Sequence, residues 1–223
     1  TVGVGEDRTL IVGVVLRNGV TVTDVEYDDT SLWIVRRNKP GSDVNAEIWV
    51  RPDVNYDPHI ESGVHTIRVT VSESTLIVAG AISFSKSYVV DNMGDWGVGN
   101  GGYYGTGTGT DATASAVLLD TQILVDVCAL EGINSSLAAV DGATELWERT
   151  ETDSRGGMSW KSNYNMGVYE GSKWTLGNSD TWAIVGIILT GHYERKEFTT
   201  IEIYIPVVEA PIDTTPYVRK DGA

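Results

Sequence analysis

Cysteine is almost absent from this chain: Cys128 is the sole one in 223 residues, so no internal disulfide can form. It lies near Val125, Val127 and Leu130, which reads as a small buried hydrophobe. A catalytic thiolate would want a positive environment, and no His or Lys is near it in sequence. Long apolar runs are also missing. None approaches the roughly 20 residues of a membrane-spanning helix, so no membrane insertion is expected. Basic residues are scarce: 16 Lys and Arg stand against 31 Asp and Glu, a net charge of −15. That field repels phosphate backbones and anionic membrane surfaces, so nucleic acid is not expected as a partner. The histidines His59, His65 and His192 are scattered without metal-ligand spacing. No serine sits in a nucleophile elbow, and no phosphate-cradling loop with its Lys is present. Fixed-period repeats and long helical patterns are absent too.

What the chain does have is short apolar runs separated by turn residues. The run Thr9-Leu10-Ile11-Val12-Gly13-Val14-Val15-Leu16 is rich in β-branched residues, and its length suits a strand buried on both faces. Trp182-Ala183-Ile184-Val185-Gly186-Ile187-Ile188-Leu189 answers it near the other end. Both are expected in the middle of sheets. Arg17-Asn18-Gly19 predicts a hairpin into a strand carrying Val20, Val22 and Val25, and Asp28-Asp29 marks the next turn. In residues 65–71, Ile67, Val69 and Val71 alternate with Arg68 and Thr70, the pattern of a strand with one wet face. Residues 133–140 read as a polar connection with room for one helical turn, and Asn178-Ser179-Asp180 as a turn before the second central strand. Residues 1–8 read as a Gly-spaced lead-in with Val2 and Val4 on one side, and no secretory leader is expected within them, a signal removed before Thr1 being equally compatible.

Two stretches differ in character. Residues 91–110 read DNMGDWGVGNGGYYGTGTGT, expected as a long Gly-rich loop carrying Trp96, Tyr103 and Tyr104. Within 198–208, Ile201, Ile203, Ile205 and Val207 share one face and Pro206 lacks an N–H, which places this strand at a sheet edge. A polar tail with Pro211, Pro216 and Tyr217 follows. The expectation is an all-β protein: a jelly-roll-like antiparallel β-sandwich over 1–197 with a C-terminal strand and tail over 198–223.

The order of Asp7-Arg8-Thr9-Leu10-Ile11-Val12-Gly13-Val14, Val22-Thr23-Asp24-Val25-Glu26-Tyr27, His65-Thr66-Ile67-Arg68-Val69-Thr70-Val71, Ala81-Ile82-Ser83-Phe84 and Asp180-Thr181-Trp182-Ala183-Ile184-Val185-Gly186 resembles a lectin-like or jelly-roll β-sandwich module. Such modules occur in bacterial surface proteins and in phage tail or virion proteins. The resemblance spans most of residues 7–190 and rests on hydrophobic patterning with a few aromatics. It departs at Asp28-Asp29, where members often have a small Gly-rich turn, and at residues 91–110 and beyond 198, which look like additions. It implies a sandwich in a surface or particle setting, and no catalytic residues.

The functional expectations follow. The leading one is a non-enzymatic structural subunit of a virion, tail or extracellular filament. It would assemble with copies of itself and other particle or surface proteins through Ile201, Ile203, Ile205, Val207, Pro211, Pro216 and Tyr217. A Pro-containing tail of this kind is ordered when a neighbour holds it. The alternative is a carbohydrate-binding module stacking Trp96, Tyr103 and Tyr104 on a glycan. A weaker alternative pairs Glu145 and Glu148, beside Trp147 and with Trp160 further on, for glycoside hydrolysis. No cofactor is expected, with Ca²⁺ the one candidate, at Asp91, Asn92 and Asp95 or at Asp53, Asn55 and Asp57. Asn134-Ser135-Ser136 is a glycosylation triplet of a kind that arises often by chance. The expected location is a virion or the cell exterior.

Overall fold

The computed structural model describes residues 8–17, 19–37, 44–52, 60–61, 63–75, 77–89, 102–117, 122–132, 135–151, 154–162, 169–190 and 203–204. Among them there are strands and no helix. The strands are β1 (Thr9–Arg17), β2 (Val22–Tyr27), β3 (Thr30–Ser31), β4 (Trp33–Arg37), β5 (Val44–Pro52), β6 (Ile67–Val71), β7 (Val78–Phe84) and β8 (Tyr88–Val89). Then come β9 (Gly102–Val117), β10 (Ile123–Leu130), β11 (Leu137–Ala139), β12 (Thr144–Glu151), β13 (Ser154–Ser162), β14 (Tyr169–Thr190) and β15 (Ile203–Tyr204). They form a central sheet β4-β5-β1-β7, a small sheet β15-β6-β2-β3, and a large sheet β11-β14-β10-β13-β12 in which β8 and β9 also pair with β14. All pairings are antiparallel except β15 with β6.

The two organising runs lie where their composition demands. Alternate residues of β1 point to opposite faces. Ile11 and Val15 join a core with Val125, Val127 and Met158 of the large sheet. Leu10, Val12, Val14 and Leu16 join another with Val22, Val25, Ile67 and Val69 of the small sheet. The central sheet is therefore covered on both sides. In β14, Ala183, Val185, Ile187 and Leu189 face the central sheet, while Trp182, Ile184 and Ile188 face away into a third core. The expected β-sandwich is present, with further layers outside it. The 65–71 strand keeps its alternation, Ile67 and Val69 buried and Arg68 half-buried.

Three local expectations are corrected. Gly19 does form a turn, with φ 81° and the Val20 N–H donating to Arg17 O at 3.3 Å. Yet β1 pairs with β5 and β7, and β2 with β3 and β6, so this turn joins two layers instead of closing a hairpin. The apolar even-numbered face of β1 has to be covered, and β2 covers it face to face. Residues 137–139 are a strand paired with Trp174 to Leu176 of β14, not a turn of helix. The turn expected at Asn178-Ser179-Asp180 is a break in pairing inside one 22-residue strand, where the β9 register shifts between Thr175 and Asp180.

The largest correction concerns the Gly-rich stretch. From Gly102 onward it is the strand β9, paired with β14 along both of that strand's halves. Gly alternates with Thr, so the face without side chains turns inward: a Cβ on Gly107 would lie 2.7 Å from the Trp182 indole. A Cβ on Gly105 would lie 2.5 Å from Thr113 O of its own strand, so β9 folds back over itself. The β9–β14 ribbon thus doubles over the outer face of the large sheet. The third core, with Ala112, Ala114, Ala116 and Trp174 from the folded half, fills the space between.

Candidate functional site

A buried polar cluster lies beneath the folded ribbon. Asp126 is the one charged residue in the apolar strand β10, and it is 2 % exposed. Its side chain faces the folded half of the ribbon. Trp174 Nε1–H donates to Asp126 Oδ1 at 2.8 Å, and the hydroxyls of Ser159 (3.0 Å) and Ser172 donate to Oδ2. The Tyr103 hydroxyl lies 2.5 Å from Ser172 Oγ. Burial pushes the Asp126 carboxyl up to about 6, although the bonds from Ser172, Trp174 and Ser159 pull the other way. Burial and the Asp126 charge also raise the Tyr103 hydroxyl and the Cys128 thiol well above their ordinary values. Cys128 is fully buried in the third core, as its apolar neighbours imply.

The outer surface of the same ribbon is different. Tyr104, Thr106, Thr108 and Thr110 are exposed on alternate positions of β9, with Tyr104 at 47 %. The expected loop pair is split: Tyr103 is in a strand, 7 % exposed and bonded to Ser172, while Tyr104 points outward. Trp96, Asp91, Asn92 and Asp95 lie outside the described residues, as do Asp53, Asn55, Asp57, Asn134, His59 and His192. The positions flanking residues 90–101 are close together on β14: Val89 pairs with Leu189 and Gly102 with Ile187. Glu148 is engaged by Arg155 Nε at 2.5 Å and Glu145 is exposed, while Trp147 and Trp160 pack against the core between the central and large sheets. Among the described residues no group of three or more His, Cys, Asp or Glu is gathered to hold a metal ion.

A second polar cluster closes one end of the small sheet. His65 Nδ1 lies 2.6 Å from Asp28 Oδ2, and the Thr66 N–H donates to Asp28 Oδ1 at 3.0 Å. The His65 ring packs on Tyr27 at 4.9 Å, and the Arg51 guanidinium sits 5.6 Å from the Tyr27 ring centre. Burial and Asp28 raise the Tyr27 hydroxyl above its ordinary value. This cluster fixes the start of β6, the strand on which β15 docks. Ile203 pairs with Ile67 and Tyr204 with Arg68, in parallel, at the sheet's edge. Of the assembly residues expected from sequence, Ile203 is therefore placed on that edge; Ile201, Ile205, Val207, Pro211, Pro216 and Tyr217 lie outside the described residues.

No protein-family model, no curated protein and no solved structure matches the chain. No helix among the described residues is long and apolar enough to cross a membrane. The sequence reading missed Asp126 and Glu47, and the signal was available. Each is a single carboxylate inside an apolar strand, where an ionisable group needs several donors to be tolerated. Glu47, fully buried, accepts from the Val22 N–H (3.0 Å), Asn45 Nδ2 (2.7 Å) and Trp49 Nε1 (3.0 Å).

Proposed function

We propose that this chain is a non-enzymatic structural subunit, a jelly-roll-like sandwich that assembles into a virion, tail or extracellular filament by exchanging its C-terminal arm. The observation that carries this reading is the pairing of β15 with β6. β14 of the large sheet ends at Thr190, and β15 of the small sheet begins at Ile203. The central sheet lies between, and two sheet-to-sheet spacings amount to about 20 Å. The pairing runs through backbone groups, Ile203 with Ile67 and Tyr204 with Arg68, and the same groups can receive a neighbour's arm. An edge strand that accepts an extended segment is the usual geometry of strand addition. The net charge of −15 keeps the subunits apart except where such backbone pairing is offered.

The test is the mass in solution by light scattering, for the full chain and for one ending at residue 197. Assemblies from the full chain that fall to monomers on truncation support arm exchange. Two monomers, the full chain at 24.1 kDa, would overturn it.

A second reading, binding of a neutral glycan, is favoured by the half-exposed Tyr104 in line with the hydroxyls of Thr106, Thr108 and Thr110. Tyr104→Ala would then abolish glycan capture without changing the mass in solution.

A further inference from the structure

We propose that the folded-back half of the β9–β14 ribbon is a pH-responsive flap, latched onto the large sheet through the carboxyl group of Asp126. The flap comprises the paired stretches 111–117 of β9 and 169–175 of β14, with β11 alongside. Its hinge is the break in pairing between Thr175 and Asp180 on one strand and between Gly109 and Asp111 on the other. Asp180 braces that hinge from the sheet side, accepting the N–H of Gly132 at 3.1 Å and of Thr181 at 2.8 Å.

Most of the surface buried under the flap is apolar and indifferent to pH: Ala112, Ala114 and Ala116 on the flap, Leu124, Ile184 and Ile188 on the sheet. Asp126 is the exception. It is held by Trp174 and Ser172 from the flap and by Ser159 from the sheet. Among the described residues, no cation is in contact with its carboxylate. β9 contributes the Tyr103 hydroxyl, one bond further on through Ser172, and β10 contributes the buried Cys128. On β13, Lys161 and Arg155 occupy the positions paired with Leu124 and Leu130, and Arg155 is engaged by Glu148 of β12. Glu145, paired with Ser159, is exposed. Lys173 lies between the two inward residues Ser172 and Trp174, and so on the opposite face of the flap. β11 contributes no charged group.

Closing the flap takes Asp126 out of water, and opening returns it. The closed form therefore holds the proton more tightly, consistent with the rise of this carboxyl from 3.8 to about 6. Low pH closes the flap, and ionisation loosens it. With those two values, the opening equilibrium rises about tenfold between pH 5 and pH 8.

Hydrogen exchange of the full chain, followed by mass spectrometry from pH 5 to 8 and corrected for the intrinsic exchange rate, tests this. Amides in 111–117 and 169–176 should open more readily than those of β1 at every pH, through an event short of global unfolding, with opening constants that rise about tenfold from pH 5 to 8. In Asp126→Asn the flap's pH dependence should vanish. Ser159→Ala, which leaves both flap donors in place, should retain it. Flap amides as well protected as those of β1 at every pH, or a flap pH dependence that survives in Asp126→Asn, would overturn the proposal. Should Asp126→Asn fail to fold, the wild-type comparison of flap against β1 decides alone.

Discussion

Trp174 on the folded half of the ribbon gives its indole N–H to Asp126 on the sheet beneath it, at 2.8 Å, with both residues withdrawn from solvent. The contact joins residues 48 apart in sequence. It is possible because the position opposite is glycine: a Cβ on Gly157 would stand 2.7 Å from Trp174 Cη2. A large ring, a small residue and a carboxylate specify one another there.

That relationship yields a double-mutant prediction. Trp174→Phe removes a donor to a carboxylate, a loss of about 1.5–3 kcal/mol. Gly157→Ala forces a methyl against the ring, at about 1–3 kcal/mol. Because both act on one contact, the double variant should lose clearly less than the sum. Urea midpoints of the four proteins, compared at constant m, give the coupling.

Glu47 should matter for stability rather than chemistry. Glu47→Ala removes the buried carboxylate that accepts from Val22 N–H, Asn45 Nδ2 and Trp49 Nε1, at about 1–3 kcal/mol for each donor that finds no other acceptor. Calorimetry should show a lower Tm, with the loss greater than for Glu47→Gln, which keeps one carbonyl acceptor.

The Asp28-Asp29 turn holds two non-glycine residues in the left-handed region, at φ 45° and 64°. Asp28 earns its place by accepting from His65 and Thr66. Among the described residues Asp29 makes only an exposed pairing to Arg68 at 3.2 Å, which solvent screens. Left-handed backbone costs a non-glycine residue about 1–2 kcal/mol. Asp29→Gly should therefore stabilise the protein slightly, read as a higher urea midpoint.

Two carboxylates should shape the pH dependence of stability with opposite signs. The folded protein binds the Asp126 proton more tightly than the unfolded chain, so stability falls as pH rises from about 3.8 to about 6 and then levels, by about 3 kcal/mol in total. Burial tends to raise the Asp28 carboxyl, but the Thr66 N–H and His65 outweigh it and hold it below its ordinary value of 3.8. Its contribution is present above that value and is lost as pH falls through the folded one. Urea unfolding at stepped pH should show both limbs in the wild type. In Asp126→Asn only the acid limb should remain.

The legible part of this fold was whatever a strand's own alternation records. β1, β6 and the second half of β14 could be read because burial on one or both faces leaves a period of two or an unbroken apolar run. β9 could not. Its inward face is glycine, so the alternation in residues 105–110 resembles loop composition, and what fills that face is Trp182 from the neighbouring strand and the strand's own far half. The Gly19 turn likewise announced a change of direction without saying whether β2 would pair with β1 or lie across it.

By itself, then, the sequence determined an all-β fold class with antiparallel pairing, an acidic balance of charge, a cysteine with no partner, and which two runs lie innermost. Those are properties of composition and local period, and each strand carries its own. Tertiary structure alone decided that the sheets stack in layers, that the β9–β14 ribbon folds back, and that Asp126 meets Trp174 beneath it. Those depend on which faces meet across long separations, and a face records that it must be covered without recording by what.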